Sequence, residues 1–201
     1  MASSTARSGK LPVVVITGQS GAGKGTLIRR LLGEFPQLEL AVSATTRPQR
    51  PGEVDGVHYY FISPEEFDRR LGADEFLEYH VFPWGQRSGT LYSEIERVAA
   101  ASRVCVLELE TEGALKVADR VPGAVTIFVT ARAEELERRL RERATESAGE
   151  IHERLAVARE QLQVADRFDH VIENDDLERA VVELTRIVRP LLAPAATMPR
   201  R

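Results

Sequence analysis

An apolar, β-branched run, LPVVVITG (residues 11–18), leads directly into GQSGAGKGT (residues 18–26) and then into the helical pattern TLIRRLLGEF. Strand, glycine-rich loop and helix in that order constrain the fold more than any other stretch of this chain. The spacing G-x-x-x-x-G-K, ending in Gly23 and Lys24, is that of a phosphate-binding loop. Glycines let the backbone wrap so that N–H groups point inward, and the following helix adds the positive end of its dipole to an anion. Gly18, Gln19, Ser20, Gly21, Ala22, Gly23, Lys24, Gly25 and Thr26 are therefore the candidate contacts to a nucleotide such as ATP, with Lys24 reaching the β- and γ-phosphates. Position 25 is glycine where a hydroxyl usually follows the lysine, which leaves Ser20 or Thr26 to supply the polar contact to phosphate or Mg²⁺. Thr26 is the candidate on the metal side, with most of the ion's ligands coming from phosphates and water.

Further along, residues 104–109 read as a second buried strand followed by a helix at 112–121, and residues 124–129 as a third followed by a helix at 134–143. Ile151, Leu155, Ala158, Leu162 and Ala165 mark one face of a helix, residues 170–172 a short strand, and Leu177, Val181, Leu184 and Val188 a last helix. This alternation predicts an α/β fold, a three-layer P-loop NTPase core with a parallel sheet between helices. Between Ser43 and Thr90 the texture changes to short strands, aromatic residues and Pro/Gly turns, with HYYFIS and FLEYHVF as strands around the helix PEEFDRRL. Residues 43–90 thus read as a small mixed α/β lobe inserted into a core of 11–42 and 91–190. The stretch 139–154, strongly charged and weakly apolar, reads as a helical lid, and residues 1–10 and 191–201 as flexible ends.

With 201 residues, 43% hydrophobic and 29% charged, the chain can bury a core as one unit with an insert. Its apolar runs fall short of a membrane span, and a net charge of −4 argues against general nucleic-acid binding. Residues 1–10 contain no apolar segment of the kind a secretory signal needs. The only cysteine, Cys105, excludes an internal disulfide and a cysteine-based metal cluster, so a reducing cytoplasm is the expected location. Within RVCVLELE it reads as a small buried hydrophobe.

A phosphate loop alone suits a GTPase, an ATPase or a small-molecule kinase. TTRPQRPGEVDGVHYYF (residues 45–61) discriminates among them. It resembles the signature of guanylate kinases: TTR, a second basic residue three positions on, then acidic, glycine and tyrosine positions, every one of them filled. The resemblance runs from the phosphate loop to NDDLERA and covers most of the chain. It implies an enzyme that phosphorylates GMP to GDP with ATP and Mg²⁺, in purine nucleotide metabolism and GMP recycling.

Arg47 and Arg50 stand three apart in a segment that includes Pro48 and Pro51, where two guanidinium forks can clamp a phosphate dianion. By the resemblance, Tyr59 adds a phenolic hydrogen bond to the same phosphate. Guanine presents N1–H and N2–H₂ donors beside an O6 acceptor, so a selective pocket needs a carboxylate facing a hydroxyl, and Glu78 and Ser43 fit. The resemblance implies that Glu78 accepts from N1 and N2 while Ser43 and Thr90 address O6. Adenine reverses that edge, and AMP should be rejected by roughly 10⁴-fold or more. Two positions depart from the family pattern. Ser88, in RSGT, stands where many members have tyrosine, which makes Arg87 the candidate replacement for a lost phosphate donor. Glu110, in ELETEG, stands where aspartate is common and reaches a methylene further toward the ribose or guanine.

LERRLRERATES resembles the family's lid, with Arg139 and Arg143 one helical turn apart on one face and Arg154 on the next helix. Two highly anionic nucleotides must meet, so Lys24, Arg47, Arg139, Arg143 and Arg154 are the candidate catalytic cations. The GMP phosphate oxygen is already a nucleophile at neutral pH, so no base is required, and His58, His80, His152 and His170 need no role. Closure of the lid over both substrates would keep water from the γ-phosphate. Asn174, in IENDD, matches a family position near adenine. Two other readings stay open: a scaffold module that has lost catalysis, against which Lys24, Arg47 and Arg50 stand intact, and a kinase for another acceptor, such as a ribose phosphate or a modified nucleotide. A regulatory GTPase is disfavoured because no NKxD-type guanine motif is present. The expected partners are ATP and GMP, without nucleic acid or membrane, in a monomer or a homodimer.

Overall fold

The structure, a computed structural model, describes residues 13–142 and 148–192. In chain order the strands are β1 Val13–Gly18, β2 Leu38–Leu40, β3 Ala44–Thr45, β4 Tyr60–Phe61, β5 Phe76–Val81, β6 Arg87–Leu91, β7 Val104–Glu108, β8 Val125–Thr130 and β9 His170–Glu173. The helices are α1 Lys24–Glu34, α2 Pro64–Gly72, α3 Tyr92–Ala100, α4 Thr111–Arg120, α5 Ala133–Glu142, α6 Ala148–Leu162 and α7 Leu177–Val188.

β1 is buried along its whole length because both of its faces are covered. Val14 and Ile16 join one core with Leu27 and Leu31 of α1 and Leu184 and Val188 of α7, whereas Val13 and Val15 join another with Ile95 and Val98 of α3 and Ala114 and Val117 of α4. A strand covered on both faces shows an unbroken apolar run, which is the pattern VVVI presents. Strands β2, β7, β1, β8 and β9 form, in that order, an all-parallel sheet, so the molecule has the expected three-layer α/β core. β1 connects to one side through α1 and β7 to the other through α4, which opens a crevice outside the carboxyl ends of these central strands.

After β2 the chain leaves this sheet and builds a second one, of order β4-β3-β6-β5, with β3 parallel to β4 and antiparallel to β6. Its small core is Ala44, Phe67, Phe76 and Leu91, with the Phe67 and Phe76 rings stacked at 4.4 Å. α2 starts where the Ser63 hydroxyl accepts the Glu66 N–H and Pro64 opens the first turn. The second sheet also leans on the first layer system, since Leu77 is buried with the α3 and α4 core and its carbonyl accepts from Arg120 at 2.7 Å. HYYFIS pairs as a strand only at Tyr60–Phe61; the chain before it bends through a bridge between Asp55 and Tyr59.

Three boundaries differ from the sequence expectation. The charged stretch beginning at residue 139 starts inside α5, whose Leu136 and Leu140 are buried, so this part of it is a packed layer; residues 143–147, Arg143 among them, lie outside the described residues. Ala158 and Ala165 carry the buried face of the next segment, but Leu162, the last residue of α6, is exposed because the helix ends there. Leu191 and Leu192 belong to a 3₁₀ turn, Arg189–Leu192, and pack against the core, while residues 1–12 and 193–201 lie outside the described residues. Cys105 is buried, and burial pushes its thiol up to about 12. No helix among the described residues is long and apolar enough to cross a membrane.

Candidate active site

The loop leaves β1 at Gly18 and turns into α1 at Lys24. Gly23 has φ of 87°, and a Cβ there would stand 2.7 Å from the Asn174 Nδ2, so only glycine fits. α1 has no side-chain cap and no acidic residue in its first turn. Its leading N–H groups and positive dipole end therefore face the loop, ready for an anion. Lys24 Nζ donates to the carbonyls of Gly18 and Gln19 at 2.8 and 3.1 Å, which stretches the ammonium across the loop. Asn174, at the carboxyl end of β9, donates to the Ala22 carbonyl at 2.7 Å; its Oδ1 is buried with no hydrogen-bond partner. Arg139 reaches the same Ala22 carbonyl at 3.3 Å and the Asn174 carbonyl at 2.7 Å, and Glu135 holds its Nε at 2.6 Å. Lys24, Arg139 and Asn174 thus meet at the loop.

Gln19 differs from expectation. Its side chain is buried and turned away from the mouth of the loop: Nε2 donates to the Ala158 carbonyl at 2.9 Å, and Oε1 accepts from the Ala131 N–H at 3.1 Å and from the Thr130 hydroxyl. Gln19 therefore builds the loop's seat on α6 and β8, and its side chain is not placed to touch a ligand. The Ser20 N–H is likewise taken by the Gln161 Oε1 at 3.0 Å. Thr26 faces the cleft, with its hydroxyl accepting from Arg29 at 3.3 Å.

A cavity of about 490 Å³ opens along Gly21, Gly23, Lys24, Gly25 and Thr26. A second, of about 170 Å³, is lined by Ser43, Tyr59, Glu78, Ser88 and Glu110, all anticipated from the sequence. Lys24 and Glu108 line both, so the cavity at the glycine loop and the cavity at the second sheet adjoin in one cleft region. At its far end Glu78 is buried on β5 and accepts the Thr90 N–H at 2.9 Å. Burial raises the Glu78 pKa, and hydrogen bonding to Thr90 opposes the rise. The Thr90 hydroxyl is buried beside it with no partner of its own. The Glu108 pKa is also raised, by desolvation in the cleft, against the pull of Lys24.

Arg47 makes a two-pronged pair with Glu53, at 2.8 and 2.7 Å, with its guanidinium 5.0 Å from the centre of the Tyr59 ring. These hydrogen bonds, with a further one from the Arg50 N–H, lower the Glu53 pKa to about 2. The Arg50 side chain itself is exposed, so the anticipated double clamp is not assembled: the Arg47 guanidinium is engaged by Glu53, and Arg50 contributes only its backbone N–H to that carboxylate. Arg87 is not in the cleft. Side chains alternate along β6, so Ser88 faces the cavity while Arg87 points to the other face. There it lies over the Phe67 ring at 4.8 Å and pairs with Asp68. It cannot replace a phosphate donor at position 88. Arg154 lies half-buried on α6.

Glu108, His80 and Phe82 line the cleft without having been anticipated. For the last two the signal was available, because Glu78, His80 and Phe82 follow the two-residue period of one face of β5. His80, assigned no role from sequence, belongs to this wall. Glu108 ends β7 two positions before Glu110, and its place at the crevice follows only once β7 is known to lie beside β1.

A guanylate kinase family model matches residues 10–191. The guanylate kinase of Symbiobacterium thermophilum is 46% identical over 177 residues, covering 88% of this chain and 83% of the relative. That of Rubrobacter xylanophilus is 46% identical over 192 residues, covering 93% of this chain and 97% of the relative. Among solved structures, the guanylate kinase of Anaplasma phagocytophilum superposes with a TM-score of 0.70 at 26% identity, over 92% of this chain and 87% of that one. A glycine loop and a carboxylate-bearing second sheet facing one cleft, in a chain matched over nearly its whole length by these relatives, give one conclusion: the chain belongs to the guanylate kinase family.

Proposed function

We propose that this chain transfers the γ-phosphoryl group of ATP to GMP, yielding ADP and GDP. The observation that carries this reading is the pair of adjoining cavities in which Lys24 and Glu108 border both the glycine loop and the pocket of Glu78. At the loop end, the N-terminus of α1 and Lys24 take the ATP phosphates, and the unpartnered Asn174 Oδ1 accepts from the adenine amino group. At the other end, Glu78 accepts from guanine N1–H and N2–H₂, while the Ser43, Ser88 and Thr90 hydroxyls and Glu110 surround base and ribose. Tyr59 and Arg47 receive the GMP phosphate. In the resting protein the Glu53 carboxylate occupies the Arg47 fork, the same geometry a phosphate would take.

The donor set fits Mg²⁺. The Thr26 hydroxyl and the Glu108 carboxylate face the cleft beside Lys24, and hard oxygen ligands of this kind are what the ion takes. No group of three or more His, Cys, Asp and Glu among the described residues could hold a metal, so these oxygens would share the ion with nucleotide phosphates and water. When bound, Mg²⁺ would offset negative charge on the phosphates, with Thr26 and Glu108 the residues placed to help hold it.

For their part, Lys24, Arg47 and Arg139, together with Arg143 and Arg154, hold the two phosphate chains in line and stabilise charge that grows during transfer. Their placement on separate segments of chain makes full assembly depend on closure of the acceptor lobe, residues 43–90, toward the core. The acceptor phosphate is already ionised, so no side chain has to remove a proton. Action on free nucleotides is consistent with a cytoplasmic enzyme of purine nucleotide metabolism that recycles GMP. A coupled assay of the purified protein with ATP and Mg²⁺ and each of GMP, AMP, CMP and UMP tests the reading. GDP should form with GMP and little product with the others; AMP turned over as well as GMP would overturn it.

A further inference from the structure

Glu94 is a buried carboxylate that the proposed reaction leaves without a task. It lies in the first turn of α3, just after the second sheet ends, and is 3% exposed. Its Oε2 accepts the Val42 N–H at 2.9 Å, and its Oε1 accepts the Tyr60 hydroxyl at 2.8 Å. Arg97 closes on both oxygens at 3.0 Å each, and continues to Glu39 of β2, which in turn accepts from Arg103 at 2.8 Å. Burial pushes this carboxyl up, but the bonds from Arg97, Val42 and Tyr60 outweigh it, and its pKa lies below the usual range. A buried charge with every oxygen occupied gives its partners little freedom, because losing any one of them leaves the ion undersolvated.

Both groups it grips are neighbours of cleft residues. Val42 precedes Ser43 and Tyr60 follows Tyr59, and Ser43 and Tyr59 line the acceptor cavity. The Tyr60 N–H donates to the Ser43 carbonyl at 2.9 Å, which ties the two segments together. Alternation along extended chain sends the Tyr60 side chain to Glu94 and leaves Tyr59 facing the cleft. Val42 and Glu94 also mark the two places where the backbone passes between the parallel sheet and the second sheet. We propose that Glu94 is a positioning residue for the acceptor site: through the Val42 N–H and the Tyr60 hydroxyl it sets Ser43 and Tyr59 at the distance from Lys24 and Glu108 that acceptor binding requires.

This inference rests on the GMP kinase reading, and the two can fail separately. Steady-state kinetics of wild type, Tyr60→Phe, Glu94→Gln and Glu94→Ala, with GMP and ATP varied in turn, provide the test. Tyr60→Phe keeps the ring and removes one bond, so the GMP KM should rise by about threefold, and Glu94→Ala should raise it by about tenfold or more. Glu94→Gln, which keeps an oxygen for Val42, should fall between them. The ATP KM should stay within about twofold and kcat should change less than the GMP KM, since uniform loosening of the fold would move all three. A GMP KM unmoved in Tyr60→Phe and Glu94→Gln, or rising only together with the ATP KM, overturns the assignment. If Glu94→Ala does not fold, Tyr60→Phe decides alone. Wild-type protein that makes no GDP overturns the underlying reading and this inference with it.

Discussion

The Glu78 Oε2 lies 2.5 Å from the point where a Cβ on Gly113 would stand. The helix α4 thus omits a side chain at the one place where the buried carboxylate must pass. Alanine there favours the helix by about 1 kcal/mol over glycine, so Gly113→Ala should leave the melting temperature nearly unchanged. The displaced atom is the end of a side chain, and moving Oε2 turns the whole carboxylate, so the other oxygen, Oε1, loses its alignment with the Thr90 N–H. The GMP KM should therefore rise roughly tenfold, the size of one misaligned hydrogen bond to a charge, with the ATP KM unaltered. Paired kinetics and melting curves check this.

Glu78 should also leave a mark on the pH profile. Burial raises its folded pKa above the unfolded value. Its contribution to stability is accordingly present below the unfolded pKa and is lost as pH rises through the folded one. GMP needs the ionised form, so the GMP KM should fall over that same rise. Glu78→Gln should remove this limb of the profile, lower kcat/KM for GMP by on the order of 10²-fold, and melt at a higher temperature than wild type at neutral pH. Parallel pH titrations of KM for the two proteins separate this limb from ionisation of the nucleotide.

Gln19→Ala should act on the loop from behind. The substitution strands the Ala131 N–H and the Ala158 carbonyl in a buried place. A loss of about 2 kcal/mol is expected, which lowers the melting temperature of a protein this size by roughly 4–8 °C. Calorimetry of wild type and variant checks this, and an unchanged melting point would show that the loop does not depend on its seat on α6.

Trp84 offers an optical readout because it is the single tryptophan. Its ring stacks on Phe82 with centroids 5.1 Å apart and planes at 12°, and Phe82 lines the acceptor cavity. GMP added without ATP should change the intrinsic fluorescence in a saturable way, and Phe82→Ala should abolish most of that change. ATP alone should leave the signal flat.

The three-layer core was legible in the sequence because β1, β7 and β8 are covered on both faces and so appear as the mainly apolar runs VVVI, VCVL and VTIFV, broken only by Thr126. The short strands β2, β3 and β6 and the helix α3 were not. β3 is two residues long, and α3 buries Glu94 where an amphipathic pattern would put an apolar side chain. The cleft was legible as chemistry and not as orientation. Ser43, Tyr59, Glu78, Ser88 and Glu110 carry groups suited to a nucleotide and do face it. Arg87 carries an equally suitable group, but its direction depends on the β6 register, which adjacent residues cannot reveal. Gln19 and Gly113 escaped for the opposite reason: one looks like a ligand contact and serves packing, the other looks like packing and clears room for Glu78.

An amide oxygen sealed away from water without a donor, as at Asn174, gives up its hydration when the chain folds and not when a guest arrives. A base that brings an N–H to that spot gains a bond without first stripping the protein of water. One that brings a carbonyl instead would set oxygen against oxygen. Under the proposed reading, a preference between purine triphosphates would then rest on how Asn174 is held in the folded chain.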